Sequence, residues 1–256
     1  MHIVVCIKSV IINAAGAGVV RSHESTELNP FDRPVLETAL RIREARGGTI
    51  TALSMGPESS ISAISEARAM GVDRGILLSD PALGGSDTLA TSLALATGVN
   101  KLKPFDLVLF GTRTSDSDTG QVGPQTALLL GLPLISRACS IESGDSFLYV
   151  ERCADGFVER YELTLPGALT VDPVAAVPRD VSLAGIESAF EQENITIWNL
   201  EDLGLSPDQV GDAGSPTRVL SISKAERHKR CEFIPGDTRE QANELIRLLT
   251  KSGLVG

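Results

Sequence analysis

The chain has 256 residues, 42% of them hydrophobic and 22% charged, and carries a formal net charge of −10. That length suffices for one large α/β core with a tail or small second unit, and the acidic balance argues against a general nucleic-acid binder, which needs a basic face. No run of about 18 apolar residues occurs, so no membrane span is expected.

In chain order, residues 3–7 form a continuous apolar run and read as a buried strand. Residues 34–45 (PVLETALRIREA) carry Val35, Leu36, Leu40 and Ile42 at helical spacing and stop at Gly47-Gly48. Residues 49–55 are the next strand, 59–70 a helix closed by Gly71, 75–78 a short strand and 87–96 a helix. The segment 105–133, FDLVLFGTRTSDSDTGQVGPQTALLLGLP, is the most informative. An apolar strand breaks at Gly111 into a polar loop, and Thr119 to Gly123 then open an apolar helix that ends at Gly131 and Pro133. Residues 134–139 give one more strand. Strands separated by helices imply a parallel sheet with helices on both faces.

The rhythm then changes. Residues 147–152 and 157–165 flank an Asp155-Gly156 turn and read as a hairpin, and 169–171 as a strand before Asp172-Pro173. Between 180 and 217 there is no Lys or Arg but eight acids, namely Asp180, Glu187, Glu191, Glu193, Glu201, Asp202, Asp208 and Asp212. That stretch reads as an extended arm laid over another surface. A basic cluster (Lys224, Arg227, Lys229, Arg230) and an amphipathic helix over 239–251 finish the chain. The expected division is a nucleotide-binding α/β domain over 1–179, including the hairpin at 146–165, and a partner-binding loop, arm and terminal helix over 180–256.

The order strand, small-residue loop, helix start places unpaired N–H groups and the positive end of a helix dipole at the carboxyl edge of a sheet, where phosphate is stabilised. Loops at 9–13, at Met55-Gly56-Pro57 and at 111–123 leave strand ends that face one crevice, and Gly84-Gly85-Ser86-Asp87-Thr88 has helix-capping chemistry. The plainer reading is that every α/β protein has such turns. Gly16-Ala17-Gly18 fails as a dinucleotide fingerprint and no P-loop is present. Asp116 and Asp118 either hold Mg²⁺ or turn the loop and cap the helix, the second being commoner. Cys6, Cys139, Cys153 and Cys231 have no ligand spacing to His2, His23 or His228, so neither zinc nor a catalytic triad assembles. Binding of a cofactor without bond chemistry of the chain's own is expected. Scattered reduced thiols, and an opening HIVVCIK too short for a signal peptide, suggest the cytoplasm.

Several segments, in order and across nearly the whole chain, carry a resemblance. They are VVCIKSV, LNPFDRPVLETALRIRE, ALSMGP, EARAMGVDRGILLSD, LGGSDTLATSLALA, GTRTSDSDTGQVGPQTALLLGLP and AGSPTRV. Together they resemble the β subunits of electron transfer flavoproteins. The resemblance implies an adenine-nucleotide-binding, Rossmann-like fold and a heterodimer with an α subunit. FAD at the αβ interface then carries electrons between NADH or an acyl-CoA-type dehydrogenase and an acceptor. It also implies a crevice in β holding either AMP or a second FAD that supports electron bifurcation.

Carried over by position, the implied nucleotide site comprises Cys6, Ile7, Asn29, Pro30, Phe31, Asp32, Met55, Asp116, Asp118, Thr119, Gly120, Gln121, Val122, Gly123, Thr126 and Ala127. Gly120 to Gly123 would meet the phosphate, and Phe31 would lie near the α-held flavin. GGSDTLATS, SDSDTGQVGP and AGSPTRV look like the two-flavin members, so a second FAD is expected to reach Asp87, Thr88, Thr91 and Ser92. Leu183 and Ile186 would dock a partner dehydrogenase. Two features depart from the family pattern: Val10-Ile11-Ile12-Asn13 replaces a Val-Pro-Asp-Thr turn, and acids replace a usually basic helix after Leu183. Rival readings are a stand-alone adenine-nucleotide-binding stress or signalling module, opposed by the long arm, and an ATP-pyrophosphatase type enzyme, opposed by the missing catalytic loop.

Overall fold

A computed structural model describes residues 1–11, 26–144, 146–190, 195–221 and 231–255. Gly16 to Gly18, Asn13, His23, Glu191, Glu193, His228 and the basic cluster 224–230 lie outside the described residues.

The chain divides into two compact units, Met1–Val219 and Leu220–Gly256. In the first, the opening run folds as β1 (His2–Cys6), followed by β2 (Ser9–Ile11) and β3 (Thr26–Leu28), which pair with each other antiparallel. Helix α1 (Arg33–Arg46) leads to β4 (Thr49–Met55), α2 (Ile61–Ala69), β5 (Arg74–Leu78) and α3 (Thr88–Lys101). Then come β6 (Leu107–Gly111), α4 (Val122–Leu130), β7 (Leu134–Ser143), the hairpin β8 (Phe147–Ala154) and β9 (Phe157–Thr164), and β10 (Gly167–Val171). Helix α5 (Leu183–Phe190), β11 (Ile195–Trp198) and two single-turn helices, α6 (Leu200–Leu203) and α7 (Gly211–Gly214), complete the unit.

The main sheet has nine strands in the order β11-β5-β4-β1-β6-β10-β7-β8-β9. It is parallel from β11 to β7 and antiparallel through the hairpin, so the expected parallel sheet flanked by helices is observed, with the hairpin as its extension. Asp155 and Gly156 both have positive φ (52° and 81°), the two-residue turn whose twist matches a hairpin.

The continuous apolar strands are explained by burial on both faces. Ile3, Val5, Leu107 and Leu109 pack with Leu36, Leu40 and Ile64 of α1 and α2. Their neighbours Val4, Val108 and Phe110 pack with Leu95, Val99 and Ala127 of α3 and α4 on the other side. Gly75 is required here, because a Cβ would sit 2.0 Å from Ile64 Cγ2.

The segment after residue 180 differs from the expected arm. β11 adds a parallel strand to β5, and Leu200, Leu203 and Val210 are buried in the α3-side core. Its described acids face water while its few apolar residues fold it back onto its own sheet, so contacts continue past 180 as far as 219. The second unit contains α8 (Thr238–Lys251), begun by a capping box between Asp237 and Glu240. Among the described residues no helix is long and apolar enough to cross a membrane.

Candidate functional site

Strand order creates the site. From β1 the chain moves outward through β4 to β5, then returns to place β6 on β1's other side, so the carboxyl ends of β1 and β6 flank the topological switch point. Cys6 lies opposite Phe110 there, and Ile7 N–H donates to Leu53 O at 2.9 Å. Both side chains are buried and form wall rather than reach. Met55, half-buried, ends β4 on the same edge.

The loop after β6 is pinned from below by side chains that precede α1. Buried Asn29 donates through Nδ2 to Arg113 O (3.0 Å) and accepts from Ser115 N–H (3.3 Å). Lys8 Nζ donates to Asp116 at 2.8 Å and to Ser117 Oγ at 3.2 Å, while Lys8 N–H donates to Asp32 Oδ2 at 2.8 Å. Arg113 pairs with Asp118 at 2.6 Å and lies 5.0 Å over the Phe31 ring. Pro30 is exposed beside them. Gly111 is held to glycine by Asp32, whose Oδ1 would be 2.4 Å from a Cβ.

These contacts give the two loop acids separate cationic partners. Burial acts to raise the Asp116 carboxyl, but the hydrogen bond and charge of Lys8 prevail and hold it below its ordinary range. Asp118 adopts φ 50° at the turn. Among the described residues no cluster of three or more metal-ligating side chains forms. The reading of Asp116 and Asp118 as turn-forming acids matches this geometry, although neither caps α4.

Two helix starts stand side by side, and they differ. Asp87 caps α3: its Oδ1 accepts from Leu89 N–H and Ala90 N–H, and its Oδ2 from Thr217 N–H at 3.0 Å. The first turn of α4 has no side-chain cap; Gln121 occupies the cap position without such a bond. Thr119, Gly120 and Gln121 are exposed there, with Gly120 at φ 64°. Gly123 packs where a Cβ would be 3.0 Å from Thr170 and 3.1 Å from Phe110, which seats the helix start against the sheet edge. Thr88 Oγ1 meets Gln121 Oε1 at 3.1 Å, and Ser92 Oγ donates towards Val122 O (3.3 Å), tying α3 to α4. Thr91 is half-buried on α3. Ala127 is buried, and Thr126 Oγ1 is buried without a partner one turn inside α4.

On the other side of the loop lies a cavity of about 740 Å³, walled by Phe31, Arg113, Gly120 and Pro124 and, across from them, Arg137 and Asp172. Phe31, Asp118, Thr119 and Gly120 of the expected residues line it; Cys6, Ile7, Met55 and Asp87 do not. Arg137 and Asp172, which pair at 3.5 Å, were missed. Arg137 sits inside a strand run but takes φ 57°, which turns its side chain off the alternation. The available signal was Asp172-Pro173 at the end of a strand, the same edge as the other loops.

The arrangement offers an anion an uncapped helix start beside small, exposed residues, and offers a planar group an aromatic ring within a cavity. A family model described as electron transfer flavoprotein domain matches residues 17–203. The chain is 34% identical over the full length of both chains to an electron transfer flavoprotein subunit beta of Thermoanaerobacterium thermosaccharolyticum. It is 38% identical, again over the whole of both, to the caffeyl-CoA reductase-Etf complex subunit CarD of Acetobacterium woodii. Protein FixA of Azorhizobium caulinodans is 35% identical, covering 91% of this chain and 89% of its own. The chain therefore belongs to the electron transfer flavoprotein family, among its β subunits.

Proposed function

We propose that this β subunit pairs with an electron transfer flavoprotein α subunit, shares an FAD at the interface, and holds a second FAD in its own crevice, so that the pair bifurcates electrons from NADH. The observation that carries the nucleotide assignment is the uncapped start of α4 at the switch point, next to a fully capped α3. Backbone N–H groups of that first turn would hold the phosphate, Gly120 leaves room for it, and Asn29 and Lys8 keep the loop in place. The flavin would supply the redox chemistry; the chain would bind it, orient it and exclude water. Phe31, beneath Arg113, would form the wall nearest the interface flavin.

Exposed apolar side chains support an obligate partner: Leu128 on α4 and Phe157 and Val158 on the edge strand β9 are left uncovered. The CarD relative is named as a subunit of a reductase–Etf complex, which supports the bifurcating reading. Leu183 and Ile186 would dock an acyl-CoA-type dehydrogenase.

A second reading, AMP as a structural ligand, is favoured by one observation. Asp87 already spends both carboxylate oxygens on the α3 cap and on Thr217, so it offers a flavin little. Acid extraction of the purified heterodimer decides: two FAD per αβ pair are expected, whereas one FAD with one AMP would overturn bifurcation and leave simple electron carriage. A chain that purifies alone and binds ATP without any flavoprotein partner would overturn both.

A further inference from the structure

Cys139 and Cys153 stand on neighbouring antiparallel strands outside the nucleotide site. The β7–β8 register pairs Ala138 with Arg152 and Ser140 with Glu151, so a bulge leaves Cys139 as the extra, unpaired residue. On β8 the alternation is clear: Leu148 and Val150 are buried in the core, and Tyr149 is exposed on the opposite face. Cys153 shares the face of Tyr149 and Glu151, and is exposed. Cys139 follows buried Ala138 and therefore turns to that same outer face, where it and Cys153 flank the Ala138–Arg152 pair, each one residue beyond it on its own strand, close enough for the two thiols to act on each other. Neither residue serves the candidate site, and Cys6 is buried in the other core. The bulge is the device that brings the thiols together, since it shears β7 against β8 at this point.

We propose that Cys139 and Cys153 are a reversible dithiol–disulfide pair, oxidised by a small-molecule disulfide such as oxidised glutathione. The exposed Cys153 gives up its proton and its Sγ attacks one sulfur of the oxidant, breaking that S–S bond and releasing one thiol. Cys139 Sγ, losing its own proton, then attacks the Cys153 sulfur of the mixed disulfide and releases the second thiol. Two cysteine sulfurs are oxidised and the two sulfurs of the oxidant are reduced. Burial, then the adjacent Cys153 thiol, push Cys139 up to about 11. Cys139 thus rests protonated at neutral pH, and its closure of the mixed disulfide accelerates as pH rises. The new bond would fasten the β8–β9 ribbon to β7, two residues from the cavity wall at Arg137.

The test uses the full chain treated with oxidised glutathione, acid-quenched, and counted for thiols after denaturation. Cys139 and Cys153 are expected to be lost together as free thiols, over and above any glutathione taken up by exposed Cys231, and dithiothreitol to restore all four. Trypsin cuts after Arg137, Arg152 and Arg160, so a non-reducing digest should contain peptide 138–152 joined to peptide 153–160. Cys153→Ser should lose no thiol of the pair, and Cys139→Ser should stop at the mixed disulfide on Cys153. A wild-type chain that keeps four thiols, that retains glutathione on Cys153 without closing the link, or that joins Cys153 to Cys231 instead would overturn the proposal.

Discussion

At the scale of single residues, the most constrained group near the site is Asp32. Its carboxyl is buried beneath the loop, and burial pushes it up to about 7 against the opposing pull of Lys8 N–H, the Asn29 side chain and the Lys8 charge. Asp116 faces it as a like charge, and the Cys6 thiol, itself raised by burial first and Asp32 second, stays protonated beside it. A carboxyl that holds its proton more tightly folded than unfolded makes the native state bind more protons between the two pKa values. Its contribution to stability is therefore greatest below about pH 4, falls by up to about 1.4 kcal/mol per pH unit towards pH 7, and is flat beyond. Urea unfolding of the full chain across that range should show the decline, and Asp32→Asn should remove that part of the slope. An unchanged slope in the variant would mean that Asp32 ionises freely and that the loop is not anchored on a protonated acid.

At the scale of elements, α1 shows how a buried charge is made tolerable. Glu37 is buried on α1 and is met by Arg41 one turn later at 2.8 Å and by Arg179, arriving from beyond β10, at 2.7 Å. Arg179 also reaches Glu44 at 2.6 Å. Burial acts to raise Glu37, but the bonds from Arg179 and Arg41 outweigh it and hold the carboxyl below its ordinary range. Arg179→Ala leaves Arg41 in place, so a loss of about 1–3 kcal/mol is expected in chemical unfolding at neutral pH. A depressed carboxyl stabilises above its unfolded pKa, so the difference from wild type should shrink as pH falls through the folded value below about 4.5. Elements of this kind separate what was legible from what was not. β4 was readable because its run is continuous and doubly buried, and the Asp155-Gly156 hairpin because only a few residues accept positive φ. β11 was not: its four residues, the middle two exposed, follow an acidic stretch, and only pairing to the distant β5 makes them a strand. The loop of the candidate site was readable from strand, small residues and helix start. Its far wall was not, because β10 comes late in the chain yet inserts between β6 and β7, bringing Asp172 to the loop.

At the scale of the molecule, the proposed nucleotide crevice and the proposed docking helix are built on different parts of one unit. Helix α5 rests on α2 so closely that a Cβ at Gly185 would come 2.2 Å from Ala69 O. Its outer side leaves Leu183 86% exposed, far from the loop that follows β6 in the sheet order. Asp180 and Glu187 flank it, and no Lys or Arg follows until Arg218. An exposed leucine within an acidic surround suits a partner with an apolar socket rimmed by basic groups, with charge steering the encounter and the leucine supplying contact. Leu183→Ala removes that contact without touching α2, the loop or the α4 start. Electron transfer to the dehydrogenase should therefore weaken on the order of tenfold, as for a central interface anchor. Flavin content should stay at the wild-type level, and added salt should slow both proteins' association with the dehydrogenase. Flavin lost on the same substitution would instead make α5 a brace for the nucleotide domain, and the docking surface would have to be sought on another face.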